Sequence, residues 1–151
     1  LNFRQQFIYR SKKLIIINDS KSTSLSSTIP LLESFTNIYW ILGGMAKKGD
    51  QLKLKKENFK NISAFIYGKD KLIFSKILSN KIKYKVSKNL NNSLLQVFKD
   101  LKKKEDQKKI LLFSPSAASF DQFKNFEDRG NYFNNLIKKI KFIKKINGQS
   151  K

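Results

Sequence analysis

The sequence predicts a single α/β domain with a Rossmann-like, mostly parallel sheet of about six strands and helices on both faces. Short apolar runs rich in isoleucine alternate along the chain with longer segments of helical periodicity, which is the pattern of such a sheet. The chain has 151 residues and 40% hydrophobic residues, enough for one folded core and unlike a disordered segment.

Six apolar runs are predicted to be strands. The second and third are continuously apolar, as buried strands of a parallel sheet are. Gly43 and Gly44 follow the third strand, where they allow a close backbone approach or a positive φ. In chain order the six runs are residues 7–9, 14–17, 38–42, 63–67, 81–86 and 109–113.

Five segments are predicted to be helices, at residues 26–35, 57–61, 70–80, 90–104 and 125–146. In the first helix, Ser26 or Ser27 is the expected N-cap, which puts Pro30 near the first turn. Leu72 and Leu95 are expected on the buried faces of the third and fourth helices.

The last predicted helix repeats apolar residues at spacings of three and four, with lysines between them. A basic amphipathic helix can lie on an anionic membrane. We favour packing on the sheet as far as Ile140, with the lysines in water.

Residues 114–130, SPSAASFDQFKNFEDRG, follow the last predicted strand. The small residues predict a turn that leads directly into a helix, whose free N–H groups could bind a carboxylate or phosphate. On spacing alone, we favour a serine-capped connection without a ligand. Asp121 and Asn125 are expected to brace or cap this turn.

Asp19 and Lys21 follow the second predicted strand, at the edge where ligands bind in open α/β sheets. An aspartate there can accept hydrogen bonds from ribose hydroxyls, and a lysine can contact phosphate or carboxylate oxygens. A surface ion pair in a turn accounts for the two residues equally well. Lys47 follows the two glycines, but the segment does not match the P-loop pattern. From the residues alone, the default interpretation of Lys47 is a solvated lysine.

The formal net charge is +21, which can indicate nucleic-acid binding. The lysines are scattered, so we favour a compositional origin of the charge and expect no specific nucleic-acid partner.

Cysteine and histidine are absent, which argues against a disulfide and a typical zinc site. No run reaches the ~20 apolar residues of a membrane span, and we expect no membrane partner. The chain starts at Leu1, and its only methionine is Met45; we therefore expect it to be a fragment.

Three motifs in order resemble the C-terminal domain of the Mur ligase family, and within it the D-glutamate-adding enzymes. They are INDSKST at residues 17–23, WILGGMAKKGD at residues 40–50, and the segment at residues 114–130. The resemblance covers residues 1–140, whereas residues 141–151 form a basic extension that we expect to be frayed. It implies that the family's N-terminal and central ATPase domains lie outside this chain.

The resemblance implies a cytoplasmic, ATP-dependent ligase of peptidoglycan precursor synthesis, which adds D-glutamate to UDP-N-acetylmuramoyl-L-alanine through an acyl phosphate. This domain would bind D-glutamate and part of ATP, and the Mg²⁺ ligands are expected in the central domain. By itself the chain is expected to be inactive. Another Mur or folylpolyglutamate-type ligase domain is the main alternative, ahead of a basic nucleic-acid-binding domain.

The resemblance also implies roles for the residues that match the family's nucleotide and reaction sites. Asp19 matches an aspartate on the nucleotide ribose, and Arg4 matches an arginine that approaches the nucleotide. Lys21 matches a catalytic lysine near the transferred group. Phe3 stands where the family has a histidine, which leaves that histidine's role without a counterpart here.

For the amino-acid site, the resemblance implies that Thr23, Lys47 and Ser119 hold D-glutamate, with Phe120 and Phe126 beside them. Lys48 is an alternative to Lys47 by a register shift of one. The chain departs from the family at Ser24, commonly asparagine, and at Phe120, commonly leucine. The larger Phe120 would narrow the pocket.

Overall fold

The computed structural model describes residues 2–104 and 106–140. Its strands are β1 (Gln6–Arg10), β2 (Leu14–Asn18), β3 (Ile38–Gly43), β4 (Met45–Ala46), β5 (Ile62–Tyr67), β6 (Lys83–Val86), β7 (Lys109–Phe113) and β8 (Ala117–Ala118). Six of them form the main sheet, in the order β1-β2-β7-β3-β5-β6. Only β1 is antiparallel to its neighbour in this sheet. The predicted fold class is therefore confirmed.

Four α-helices cover the sheet: α1 (Leu25–Ser34), α2 (Lys71–Leu78), α3 (Leu90–Leu101) and α4 (Phe126–Lys138). Short 3-10 helices span Lys56–Asn61 and Lys102–Lys104. Alternate residues of each central strand point to opposite faces, so the core forms two clusters. Residues of α1 and α2 pack in one cluster, and residues of α3 and α4 pack in the other.

The structure corrects the start of α1. Its N-cap is Ser24, not Ser26 or Ser27, and the Ser24 side chain accepts the N–H of Ser27. Pro30 is consequently the sixth helical residue instead of lying near the first turn. An asparagine, the family's residue at position 24, is an equally good N-cap.

Two leucines predicted to be buried are exposed. Leu72 is 73% exposed and Leu95 is 57% exposed. The buried stripe of α2 passes through Phe74 and Leu78; Leu72, two residues before Phe74, therefore points to the opposite side at about 100° per residue. In α3 the buried stripe passes through Leu94 and Phe98, and Leu95 lies next to this stripe, not on it.

The third motif does not lead directly into a helix, which corrects the predicted anion site at a helix start. Two of its small residues, Ala117 and Ala118, form β8, and α4 begins only at Phe126. Asn125 caps α4 by accepting the N–H of Asp128, and Glu127 and Asp128 supply negative charge to the first turn. The free N–H groups of α4 are thus already satisfied in part within the chain.

Helix α4 packs on the sheet, as predicted, through the stack of Phe133 on Phe113, whose ring centroids lie 4.4 Å apart. The helix ends at Lys138, with Lys139 as its C-cap, so the predicted continuation is wrong at residues 139 and 140. The rest of that prediction and the basic extension at residues 141–151 lie outside the described residues. In the part of the chain that the structure describes, no helix has the length and apolarity that a membrane crossing requires.

Candidate functional site

Three loops that carry the sequence motifs meet at one edge of the main sheet. Strands β2, β7 and β3 are parallel neighbours, so their carboxyl ends lie side by side. The first loop (residues 19–24) follows β2, the second loop (residues 44–50) follows β3, and the third loop (residues 114–121) follows β7. This is the edge at which open α/β sheets bind ligands.

The second and third loops are joined by a two-stranded antiparallel ribbon of β4 and β8. Met45 pairs with Ala118, and Ala46 pairs with Ala117. Lys47 therefore follows one strand of the ribbon directly, and Ser119 follows the other. A Cβ on Gly44 would lie 2.5 Å from the carbonyl oxygen of Ala118, so the predicted close backbone approach is confirmed.

Arg129 of α4 joins the first and third loops. Its guanidinium donates to the carbonyl oxygen of Ala117 at 2.8 Å and to the carbonyl and hydroxyl oxygens of Ser20 at 2.5 and 3.1 Å. Arg129 is fully buried, and these acceptors are all neutral. Burial lowers the pKa of Arg129. The negative charges of Asp121 and Asp19 oppose this decrease.

Asp50 joins the first and second loops. Its carboxylate accepts the N–H of Leu25, the first residue of α1, at 2.6 Å. Its own N–H donates to the carbonyl oxygen of Lys47 at 3.1 Å. A carboxylate at a helix N-terminus also stabilises the helix dipole, so Asp50 fixes the turn that carries Lys47 against the start of α1.

Asp121 braces the same edge, as predicted. Its carboxylate accepts the N–H of Lys69 at 3.2 Å. Added Cβ atoms on Gly44 and Gly68 would lie 3.5 and 3.1 Å from its oxygens. Asp121 therefore packs against both glycine turns.

Asp19 is the first residue of the first loop and is 4% exposed. One carboxylate oxygen accepts the N–H of Gln5 at 2.9 Å, and the other accepts the hydroxyl of Ser114 at 2.6 Å. Burial raises the pKa of Asp19, while these hydrogen bonds and the charges of Arg4 and Arg129 oppose the increase. Each oxygen has a second lone pair, through which it can accept a ligand hydroxyl.

The remaining candidate residues lie around the same edge at different depths. Thr23, Lys47 and Arg4 are exposed, Ser119 is buried, and Phe120 is 69% exposed. The Lys21 ammonium lies 5.3 Å from the centroid of the half-buried Phe126 ring. The structure thus brings together the three loops that carry most of these side chains, whereas Arg4 precedes β1 and Phe126 begins α4.

Phe3, in place of the family's histidine, is a packing residue in this chain. A Cβ on Gly130 would lie 2.5 Å from the Phe3 ring, so the ring rests directly on the backbone of α4. The Phe3 carbonyl oxygen also accepts the N–H of Lys21 at 2.9 Å. Phe3 therefore ties the segment with Arg4 to the first loop.

Sequence reasoning missed the residues that hold the loops together, namely Arg129, Asp50 and Thr28. A signal for Arg129 was available, because it precedes the buried Phe133 and Ile137 at spacings of four and lies on the same helix face. Thr28 likewise lies between Leu25 and Leu32 on the buried face of α1. Asp50 had no comparable signal, since its partner is a backbone N–H 25 residues away.

Comparisons with known proteins show which proteins the chain is similar to. The chain is 35% identical over 139 residues, 92% of its length, to the Rickettsia felis protein named "UDP-N-acetylmuramoylalanine--D-glutamate ligase", of which it spans 31%. It is 34% identical over 148 residues, 98% of its length, to the protein of that name from Mesorhizobium japonicum, of which it spans 32%. No family model matches the chain.

The chain thus spans about a third of the length of these relatives. Similarity of this extent, over almost the whole chain and with the expected sheet, identifies its family. The chain belongs to the Mur ligase family, as a C-terminal domain of the UDP-N-acetylmuramoylalanine–D-glutamate ligase (MurD) type.

Proposed function

We propose that this chain is the amino-acid-binding domain of an ATP-dependent ligase that adds D-glutamate to UDP-N-acetylmuramoyl-L-alanine in peptidoglycan precursor synthesis. Residues 1–140 form this domain, and the N-terminal and central ATPase domains complete the enzyme. The observation that carries the proposal is the meeting of the three motif loops at the carboxyl edge of one sheet. The names of the relatives support the reaction.

The proposed reaction has two steps. The γ-phosphoryl group of ATP passes to the carboxylate of UDP-N-acetylmuramoyl-L-alanine, giving an acyl phosphate and ADP. The amine of D-glutamate then attacks the acyl carbon, an amide bond forms, and phosphate leaves while the amine loses a proton. A closed domain would exclude water from the acyl phosphate.

In this mechanism the three loops hold the amino acid for attack. Lys47 binds a carboxylate of D-glutamate by a charge-assisted hydrogen bond, and Ser119 binds its side-chain carboxylate. Thr23 orients the amine, while Phe120 and Phe126 line the site. Correct placement of the amine accounts for most of the catalytic effect expected of these residues.

On the nucleotide side, Asp19 and Arg4 contact the nucleotide, with Asp19 accepting a ribose hydroxyl through its remaining lone pairs. Lys21, beside Phe126, offsets the negative charge that develops during transfer. Among the residues that the structure describes, no group of three or more histidine or acidic side chains gathers as a metal site. In this proposal the ligands of the Mg²⁺ that accompanies ATP belong to the central domain.

An assay of phosphate release by the full-length enzyme tests the proposal. With ATP and UDP-N-acetylmuramoyl-L-alanine present, we expect release to depend on D-glutamate and not on L-glutamate, D-aspartate or L-lysine. Release with one of these other amino acids would contradict the proposed specificity for D-glutamate and indicate a related ligase that adds a different amino acid.

The same assay applied to the 151-residue chain alone tests whether ligation requires the other domains. We expect no ligation, because the ATPase domain is required for the acyl phosphate. ATP-dependent amide formation by the chain alone would contradict this prediction.

A further inference from the structure

A network of buried hydroxyls connects the first and third loops through Thr28 of α1. The Thr28 hydroxyl oxygen lies 2.7 Å from that of Ser114, 2.6 Å from that of Ser116 and 2.8 Å from that of Ser22. All four side chains are buried. Ser22 belongs to the first loop, whereas Ser114 and Ser116 belong to the third.

The carboxylate of Asp19 sets the direction of these hydrogen bonds. Ser114 donates its one hydroxyl hydrogen to Asp19 at 2.6 Å, because an ionised carboxylate can only accept. Ser114 must then accept from Thr28, which uses the single hydrogen of Thr28. The contacts of Thr28 with Ser22 and Ser116 then need hydrogens from these two serines, for which the Ser27 hydroxyl at 2.9 Å and the Ser114 carbonyl oxygen at 3.1 Å are further acceptors. The path from Thr28 through Ser114 therefore points toward Asp19.

The ends of this network are the two halves of the proposed site. Asp19 is the proposed nucleotide contact, and Ser22 lies between Lys21 and Thr23 in the first loop. Hydrogen bonds in a chain polarise one another at low dielectric. A ligand hydroxyl that binds Asp19 therefore changes the strength of the bonds that hold Ser22.

We propose that Thr28 is a positioning residue whose hydroxyl couples nucleotide binding at Asp19 to D-glutamate binding beside Thr23. The inference rests on the proposed function for the identity of the two ligands. Coupling of this kind is reciprocal, so each ligand changes the affinity of the enzyme for the other by the same factor. Thr28 itself touches neither ligand.

The first test needs no ligand and uses NMR titration of the Asp19 side-chain carboxyl carbon in the 151-residue chain. Thr28→Val removes the hydroxyl at nearly constant volume, and we expect the pKa of Asp19 to rise by about 0.5 to 1 unit. The groups facing Asp19 are Ser114, the N–H of Gln5, Arg4 and Arg129, and none of them is changed. Thr28→Ser, which keeps the hydroxyl, should restore the wild-type pKa.

Ser93→Ala provides a matched control. Ser93 is equally buried, lies on α3 on the other face of the sheet, and its hydroxyl has no hydrogen-bond partner among the described residues. We expect no change in the pKa of Asp19. If Thr28→Val does not fold, Ser116→Ala removes one donor from the network and should raise the pKa of Asp19 in the same direction.

The second test measures the dissociation constant of D-glutamate from the full-length enzyme, with and without a non-hydrolysable ATP analogue. We expect the ratio of the two constants to fall toward 1 in Thr28→Val and to stay at the wild-type value in Thr28→Ser and Ser93→Ala. An unchanged pKa or an unchanged ratio in Thr28→Val would overturn the proposal. If the wild-type enzyme binds no D-glutamate, the proposed function fails, and the NMR comparison alone decides whether Thr28 controls Asp19.

Discussion

At the scale of single residues, the buried guanidinium of Arg129 is the strongest link between the loops of the candidate site. Replacing it in Arg129→Met leaves the carbonyl oxygens of Ser20 and Ala117 without this donor. Each buried acceptor without a partner costs about 1–3 kcal/mol, and relief of the buried charge offsets part of this cost. We expect the free energy of unfolding to fall by about 2–4 kcal/mol in urea titrations.

Lys138→Met is the matched control for Arg129→Met, because Lys138 is an exposed basic residue of the same helix. Surface substitutions of this kind change the free energy of unfolding by less than about 0.5 kcal/mol. Equal losses in the two variants would show that Arg129 does not join the loops.

The prediction about activity at the scale of single residues concerns Lys47. In the full-length enzyme, Lys47→Ala should raise the KM for D-glutamate by roughly 10- to 100-fold, since a charge-assisted hydrogen bond is lost. The KM for ATP should stay nearly constant. Lys48→Ala is the control, and a larger effect there would shift the site by one position. An unchanged KM in Lys47→Ala would remove Lys47 from the site.

At the scale of elements, Gly43 fixes how closely β3 can approach β5. Its φ is +150°, and an added Cβ would lie 2.0 Å from the carbonyl oxygen of Tyr67. Gly43→Ala must therefore shift the backbone, and we expect a loss of about 3 kcal/mol or more in the free energy of unfolding.

Gly49→Ala separates backbone strain from steric contact. Gly49 has a φ of +73° but no atom within 4 Å of an added Cβ. The expected loss of about 1–2 kcal/mol comes from the left-handed conformation alone. Thermal or urea unfolding measures both losses. A larger loss in the free energy of unfolding for Gly49→Ala than for Gly43→Ala would contradict the close approach at Gly43.

A pH-dependent prediction concerns the contact between β6 and α3. Burial works to raise the pKa of Asp100, but the hydrogen bond and charge of Lys85 outweigh it, with Gln96 and Lys103 assisting, so the pKa lies below its ordinary value of 3.8. The resulting stabilisation is present above pH 3.8 and is lost as the pH falls through the folded-state pKa.

Lys85→Gln should therefore reduce the free energy of unfolding at pH 7 by no more than about 1 kcal/mol, because the pair is partly exposed. The difference between this variant and the wild type should vanish in strong acid. If the difference in the free energy of unfolding between variant and wild type grew as the pH fell, the pKa of Asp100 would not be lowered by Lys85.

The main strands could be predicted from the sequence because their apolar runs are long and continuous. Helix faces were less certain, as Leu72 and Leu95 show, because periodicity over a short helix leaves neighbouring positions ambiguous. The ribbon of β4 and β8 could not be foreseen, since two-residue strands carry no periodic pattern. The residues that hold the site together depend on tertiary hydrogen bonds. The position of Asp19 after a predicted strand pointed to one loop, whereas the ligands of the site were implied only by the resemblance.

At the scale of the whole molecule, the described residues form a sheet with a separate core on each face, and the candidate site lies at the carboxyl edge of its central strands. Helices α1 and α2 cover one face, and α3 and α4 cover the other. Arg129, Thr28 and Asp50 then link both faces to the three loops. The net charge of +21 is compatible with anionic ligands but does not select among them.

A crystal structure of the full-length enzyme with its ligation product would test the central claim most directly. We predict that one carboxylate of the D-glutamate moiety lies within hydrogen-bond distance of the Lys47 ammonium, and that the other lies within that distance of the Ser119 hydroxyl. A D-glutamate moiety held away from the edge formed by the three loops would contradict the account.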